Sequence, residues 1–166
     1  LRKISKKGGA FRTISPREFL SPPSELQRIQ PSLSSWGQNG YSEVWLNNSN
    51  NWIYRHIHKS VERMTELANR FPDAEGILRR ILDQAAREIL LSQHSDWPFI
   101  MRSGTTPEYA SKKITDHIER FNSLYAAVKT GDMDEALLAE MEEKDMVFRE
   151  IDYRIYSERE RSLSNG

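Results

Sequence analysis

The chain has 166 residues, the length of one ordinary domain, and its 24 basic and 24 acidic side chains give a formal net charge of zero. Cysteine is absent, which excludes a disulfide framework, a thiolate metal site and a cysteine nucleophile; a cytoplasmic location is expected. No apolar run approaches the roughly 20 residues that a bilayer-spanning helix needs, so we expect no membrane insertion.

Residues 1–21 are interpreted as a basic arm or linker. The chain opens with Leu1 rather than methionine, and we expect it to be part of a longer polypeptide. Residues 1–17 carry no acid but six basic side chains, Arg2, Lys3, Lys6, Lys7, Arg12 and Arg17. Such an arm can contact nucleic acid. Because no partner basic face follows later in the chain, we favour a solvated linker from a neighbouring domain and expect no nucleic-acid partner.

Residues 15–51 have the composition of a long loop, punctuated by four prolines and rich in serine, glycine and asparagine, and residues 30–50 are its aromatic part. A loop of this length inside a compact domain is normally either disordered or functional. Its apolar content disfavours disorder, and three side chains of residues 30–50 are aromatic: Trp36, Tyr41 and Trp45. We therefore interpret residues 30–50 as part of a domain that spans residues 22–156.

Four amphipathic patterns follow the loop and predict helices. Apolar residues recur at three- and four-residue steps over about 51–71, 73–94, 106–130 and 132–146. The expected caps are Asn50 or Asn51, Asp73, Thr106 followed by Pro107, and an Asp132 and Glu135 capping box. These patterns predict a mainly α fold, a bundle of about four helices preceded by a long aromatic, Gly/Asn/Pro-rich loop segment.

The remaining connections are expected to be irregular. Residues 95–104 predict a break between helices, since Pro98 biases Trp97 away from the α region. Residues 148–156 have an extended pattern, and residues 157–166 are expected to be a frayed tail.

The aromatic loop is the first candidate site. Trp36, Tyr41 and Trp45 lie among glycines and asparagines, where the backbone can take positive φ and flat rings can be displayed. Sugar rings carry axial C–H bonds on one side, so tryptophan and tyrosine platforms are the usual protein surface for them. The alternative is that the two tryptophans simply plug the top of the bundle, and the residues alone leave both interpretations open.

A second candidate site is the Asp96-Trp97 step at the end of the most apolar helix. A carboxylate beside an indole can bind a ligand hydroxyl or act as an acid or base. Asp96 is equally compatible with a helix-end turn in which its side chain bonds to backbone.

The histidines are weaker candidates. His56 and His58 bind a metal only if both rings point the same way, and two-residue spacing on a helix separates them by roughly 200°. His94 and His117 are isolated in the sequence and are interpreted as packing or supporting residues. No phosphate loop, nucleophile elbow or zinc helix motif is present, so we expect no metal, no cofactor and no complete catalytic constellation.

Three runs of residues resemble one family. Residues 30–37 with 45–46 and 51–55 resemble the segment after the catalytic barrel of glycoside hydrolase family 57 α-1,4-glucan branching enzymes. Residues 86–100 look like the last sequence signature of that family, and residues 145–154 are similar to its C-terminus. The chain is thus identified with the C-terminal domain of this family.

This resemblance implies a two-part enzyme. A barrel with a catalytic glutamate and aspartate would cleave an α-1,4 linkage with retention and transfer the chain to a 6-hydroxyl, forming an α-1,6 branch in glycogen. The catalytic pair would lie in that N-terminal barrel, a partner absent from this chain. This chain by itself is therefore expected to be inactive. The substrate would be an α-glucan such as amylose or glycogen.

The same resemblance implies roles for particular residues. Trp36 and Trp45 match tryptophans that project toward the substrate cleft of the barrel, and Asp96 with Trp97 would line or brace that cleft. Two alternatives stay open: the equivalent domain of a family 57 α-amylase or glucanotransferase, and a non-catalytic helical interaction module.

Overall fold

A computed structural model describes residues 13–21 and 27–158 and divides the chain into two compact units, residues 1–34 and 35–166. The first unit contains helix α1, Pro16–Leu20. The Ser15 hydroxyl accepts from the Glu18 N–H, and the Glu18 carboxylate accepts from the Ser15 N–H at 2.7 Å, which is a capping box. Most of the predicted basic arm, residues 1–12, lies outside the described residues.

The second unit is a helical bundle, and no strand is assigned within the described ranges. Its helices are α2 (Trp52–Arg70), α3 (Gly76–Ser92), α4 (Asp96–Ser103), α5 (Pro107–Thr130) and α6 (Glu135–Lys144). The prediction of a mainly α bundle is confirmed. Within residues 13–21 and 27–158, no helix combines the length and apolarity needed to cross a membrane.

Several predicted helix ends lie elsewhere in the structure. Helix α3 begins at Gly76 with Glu75 as the N-cap residue, so Asp73 does not cap it. Helix α6 is capped by Asp134, whose side chain accepts from the N–H groups of Ala136 and Leu137, and the predicted Asp132 capping box is wrong. In both helices the observed cap lies two residues after the predicted one, which is the usual uncertainty of a helix end read from sequence.

Residues 95–104, predicted to be a break, contain helix α4. Pro98 is the third residue of this helix, where its missing N–H would have had no helical partner. Gly104 ends the helix in the left-handed region at φ 73°. The preference of a residue before proline is therefore overridden by the packing of Pro98 and Met101, both buried.

The main core lies between α2, α3 and α5 and is closed by α6. It is a continuous cluster because each helix turns an apolar face inward at the three- and four-residue steps expected from the sequence. Its buried members are Met64, Leu67, Ala68, Ile81, Leu82, Ala85, Ala86, Ile89, Phe121, Leu124, Leu138, Met141 and Tyr153.

A smaller core at the opposite end of α2 positions the aromatic loop. Ile53 and Ile57 from α2 pack with Met101 from α4 and with Ala110 and Ile114 from α5. Because α4 joins this cluster, the loop that precedes α2 has a second helix against which to pack.

The segment after α6 folds back onto the helices instead of remaining extended. Tyr153–Tyr156 form a 3₁₀ turn, and the buried Tyr153 hydroxyl donates to the Phe71 carbonyl. Ser157 and Glu158, expected to begin the frayed tail, both bond to the Asn69 side chain at 3.1 Å. The remainder of the predicted tail lies outside the described residues.

Candidate functional site

The aromatic loop is held by its own backbone. The Ser35 N–H donates to the Gly40 carbonyl at 2.6 Å, and two 3₁₀ turns, Gln38–Gly40 and Ser42–Val44, follow one another. Gly37 has φ 124° and ψ −167°, a conformation that is essentially restricted to glycine. The glycine and asparagine content of the loop thus has a conformational cause.

Asparagine side chains then fasten the loop to the bundle. Asn50 is fully buried, and its amide donates to the Val44 carbonyl at 3.0 Å and to the Pro98 carbonyl of α4 at 3.2 Å. Its side-chain oxygen accepts from the Asn47 N–H at 2.8 Å. Asn51 takes the N-cap position of α2 but makes no side-chain cap bond. The side chain of Asn50, the other expected cap, anchors the loop instead.

Three aromatic rings form a surface that we call the aromatic patch: Trp36, Trp45 and Phe99. The ring centroids of Trp36 and Trp45 are 5.9 Å apart with an interplanar angle of 59°, and those of Trp36 and Phe99 are 6.0 Å apart at 36°. Trp36 is 73% exposed although it contacts two other rings. Displaying an indole in this way leaves a large apolar face available to a ligand.

The structure brings together only some of the predicted loop residues. Trp36 and Trp45 are in contact, whereas Tyr41 is 59% exposed and, among the described residues, stacks on neither of them. Phe99 is a patch member that the sequence interpretation missed. Its position two residues after Trp97, in the same candidate run, was the available signal.

A cavity of about 240 Å³ adjoins the patch through Trp45. Its lining includes Tyr54, His58, His94 and Pro98. The Tyr54 hydroxyl donates to the Trp45 carbonyl, and burial raises the pKa of that phenol. A protonated phenol therefore holds the backbone of Trp45 across the neutral pH range.

Asp96 and Trp97 differ from each other in their surroundings. Trp97 is half-buried, and its indole N–H donates to the Leu91 carbonyl at 2.8 Å. Its ring centroid lies 5.4 Å from that of His94 and 6.1 Å from that of Tyr109. Asp96 is exposed in the first turn of α4, with its carboxylate 3.7 Å from His94 Nδ1. Trp97 thus braces the end of α3, and Asp96 has no contact with the aromatic patch in the described part of the chain.

His56 and His58 both lie on α2 and contact different rings. His56 packs edge-on against Trp52, with ring centroids 6.2 Å apart, and His58 lies 6.2 Å from Tyr54. These separate contacts agree with the divergence expected for two-residue spacing on a helix.

A buried polar network connects α3 and α5, and the sequence interpretation missed it. Glu88 is fully buried; its carboxylate lies 2.7 Å from His117 Nδ1 and accepts from Gln84 at 2.7 Å. His117 is isolated in the sequence, but its position on the buried face of α5 is a signal that it needs a polar partner.

Glu88, His117 and Asp145 offer ligand atoms within 4.8 Å of one another, a spacing that suits a metal ion. Arg120 lies 2.6 Å from Asp145 and 3.6 Å from Glu88. Because its guanidinium already neutralises both carboxylates, we interpret the group as an ion-pair network that joins α3 and α5 to the start of the segment after α6.

Comparisons with known proteins give a consistent result. Residues 56–156 match a protein family described as 1,4-alpha-glucan branching enzyme, C-terminal. The chain is 34% identical, over 156 residues, to a 1,4-alpha-glucan branching enzyme of Thermococcus kodakarensis. That alignment covers 91% of this chain and 23% of the relative, so the chain spans about a quarter of the relative's length.

Solved structures show the same fold. A GH57 branching enzyme of Thermococcus kodakaraensis, crystallised with glucose and additives, superposes on this chain with a TM-score of 0.78 and 33% sequence identity. The match covers 87% of this chain and 27% of the chain of that enzyme. The corresponding enzyme of Pyrococcus horikoshii has a TM-score of 0.75 and 33% identity, over 87% and 28%. The alpha-amylase AmyC of Thermotoga maritima has a TM-score of 0.73 and 33% identity, over 93% and 28%.

Proposed function

We infer the function from one premise: this chain belongs to the 1,4-alpha-glucan branching enzyme C-terminal family. The chain supplies the helical C-terminal part of an enzyme that forms α-1,6 branches in an α-1,4-glucan. The catalytic carboxylates belong to a barrel outside this chain. Without that barrel, this chain is inactive. A cytoplasmic role in glycogen biosynthesis is part of the same proposal.

The aromatic patch is the observation that carries this proposal. A glucosyl unit has an apolar C–H face that stacks on an indole, and Trp36 offers a 73% exposed ring backed by Trp45 and Phe99. The rings are tilted at 59° and 36°, so the surface is curved. An α-1,4-linked chain also curves, and successive glucosyl units meet such a surface better than a flat one.

Branching needs an acceptor glucan to compete with water for the glycosyl intermediate. An apolar patch favours the acceptor because it stacks on a sugar face and offers no hydrogen-bond partner to a water molecule. In this proposal Trp36 and Trp45 contact the acceptor chain, while Tyr41, Asp96 and Trp97 remain predicted members of the cleft.

The test replaces Trp36 by alanine in the complete polypeptide that contains this chain. We expect transfer relative to hydrolysis to fall roughly tenfold, which corresponds to about 1.4 kcal/mol of lost acceptor interaction. Branch formation and new reducing ends are counted in the same reaction. Because Trp36 is mainly exposed, the melting temperature should change little.

A matched control is Phe148→Ala, which removes an aromatic ring that is 54% exposed but lies outside the patch. The transfer-to-hydrolysis ratio of this variant should equal that of the parent. Equal ratios in the Trp36 variant, the Phe148 variant and the parent would contradict the assignment of the patch.

The likeness to the alpha-amylase AmyC supports a second candidate, the equivalent domain of a family 57 hydrolase. The two candidates differ in product. A branching enzyme makes α-1,6 linkages with few new reducing ends, whereas a hydrolase makes a reducing end at every turnover and no α-1,6 linkage.

A further inference from the structure

A pocket of about 420 Å³ lies beside α3 and α6, and we call it the arginine pocket. It is lined by Arg80, Asp83, Arg87, Glu142, Met146 and Arg149. The first three lie on α3 at three- and four-residue steps and therefore on one face of that helix. None of these side chains belongs to the aromatic patch.

The two carboxylates of the pocket are already paired. Glu142 accepts from two nitrogens of Arg80 at 2.7 and 3.1 Å, and Arg80 also reaches Glu135 at 2.7 Å. Asp83 accepts from Arg79 at 2.7 Å and from the Tyr153 N–H at 2.9 Å. Neither acid is therefore a counter-ion for the other arginines of the pocket.

Arg87 is a buried cation that has no acidic partner among the residues the structure describes. Its residue is only 8% exposed, and its guanidinium donates to Gln84 and to the carbonyls of Val147 (2.8 Å) and Phe148 (3.3 Å), all neutral oxygens. Within the described ranges no carboxylate lies within 4.0 Å of it, although burial of an unpaired charge is costly. These bonds use three of the five N–H groups of a guanidinium.

Arg149 adds a second cation to the same pocket. Its guanidinium donates to the Met146 sulfur at 3.8 Å, and no acid of the described residues pairs with it. Phe148, directly before it, has φ 51°, a left-handed conformation that is unusual for a residue with a side chain. Because Arg87 binds the Val147 and Phe148 carbonyls, this turn is held with Arg149 at the pocket.

We propose that the arginine pocket binds a small sugar phosphate. Arg87 and Arg149 contact the phosphate group, for which arginine is the preferred side chain. A volume of about 420 Å³ is within the range of small-molecule sites and leaves room beside the phosphate for a sugar ring. Glu142 and Asp83 accept from its hydroxyls, and Met146 contacts its apolar face. This proposal does not rest on the proposed glucan function.

The test is calorimetry on the complete polypeptide that contains this chain, prepared without phosphate. Three probes are titrated: glucose 6-phosphate, inorganic phosphate and glucose. We expect glucose 6-phosphate to bind more tightly than inorganic phosphate, and glucose to give no heat that depends on Arg149. The Arg149→Gln variant should weaken glucose 6-phosphate roughly tenfold, because one charge-assisted contact is lost.

Arg55→Gln is the matched control, since Arg55 is an exposed arginine outside the pocket. Its affinity for glucose 6-phosphate should equal that of the parent. Arg149 is exposed, so its variant is expected to fold, and the melting temperature checks this. The proposal is overturned if glucose 6-phosphate does not bind or binds no better than inorganic phosphate. It is also overturned if Arg149→Gln binds glucose 6-phosphate as tightly as the parent and Arg55→Gln do.

Discussion

Gly37→Ala is the substitution that tests most directly how the aromatic patch is built. Gly37 has φ 124°, and a Cβ added there would lie 2.6 Å from Val44 Cγ2 and 3.4 Å from the Trp45 ring. Val44 is buried and its carbonyl is bound by Asn50, so it has little room to withdraw. Alanine therefore meets both backbone strain and steric overlap at one position.

The expected cost can be worked from these two effects. A side chain forced into such a backbone region costs on the order of 1–3 kcal/mol, and a forced overlap in a packed site adds about as much. A total of at least about 2 kcal/mol shifts the loop roughly 30-fold toward other conformations. Because the loop lies outside the main core, we expect the patch to be lost while most of the helical bundle remains.

Near-ultraviolet circular dichroism is the primary assay, since the Trp36 and Trp45 rings are 5.9 Å apart and their coupling depends on the loop. This signal should weaken strongly in Gly37→Ala, with far-ultraviolet helicity almost unchanged. The control is Gly40→Ala in the same loop, at φ 73° with nothing within 4 Å of an added Cβ, which should cost only about 1 kcal/mol. If the two variants have equal spectra, or if Gly37→Ala matches the parent, the reasoning is refuted.

Two further predictions concern a buried carboxylate and a half-buried phenol. Glu88→Ala removes the carboxylate that binds His117 and Gln84, and it should lower the free energy of unfolding in urea by about 3–5 kcal/mol. The control, Glu62→Ala, removes an exposed carboxylate and should cost far less. Equal unfolding midpoints for the two variants would contradict the burial argument. Burial raises the pKa of Tyr156 to about 12, so its contribution to stability is complete below the unfolded pKa near 10 and is lost between about pH 10 and 12. Between about pH 10 and 12, the free energy of unfolding should fall less steeply with pH in Tyr156→Phe than in the parent. An equal slope in the two proteins would show that ionisation of Tyr156 does not cause this loss of stability.

The helical architecture was predictable because it depends on local periodicity. Apolar steps of three and four residues located α2, α3, α5 and α6, and Thr106 and Gly131 bound α5 as expected. Helix α4 was not predictable from its own residues, since the restriction before Pro98 favoured a break. Its formation depends on tertiary burial: Pro98 and Met101 are both buried, and Met101 packs with residues of α2 and α5.

The same division applies to the candidate site. The sequence by itself determined that Trp36 and Trp45 belong to a loop that glycine and asparagine shape, because residue composition sets the backbone conformations available to it. Only the tertiary structure decided that Phe99 completes the patch and that Tyr41 stands apart from it.

Charge pairing was likewise a matter of tertiary structure. Glu88 and His117 are 29 residues apart, and Arg87 reaches carbonyls 60 and 61 residues away, so no local pattern connects them. Periodicity shows which side chains point inward, but a buried polar group acquires its partner only when two distant helices pack together. The sequence therefore determined the helices and the character of the aromatic loop, and packing decided that Glu88 meets a histidine whereas Arg87 meets neutral oxygens.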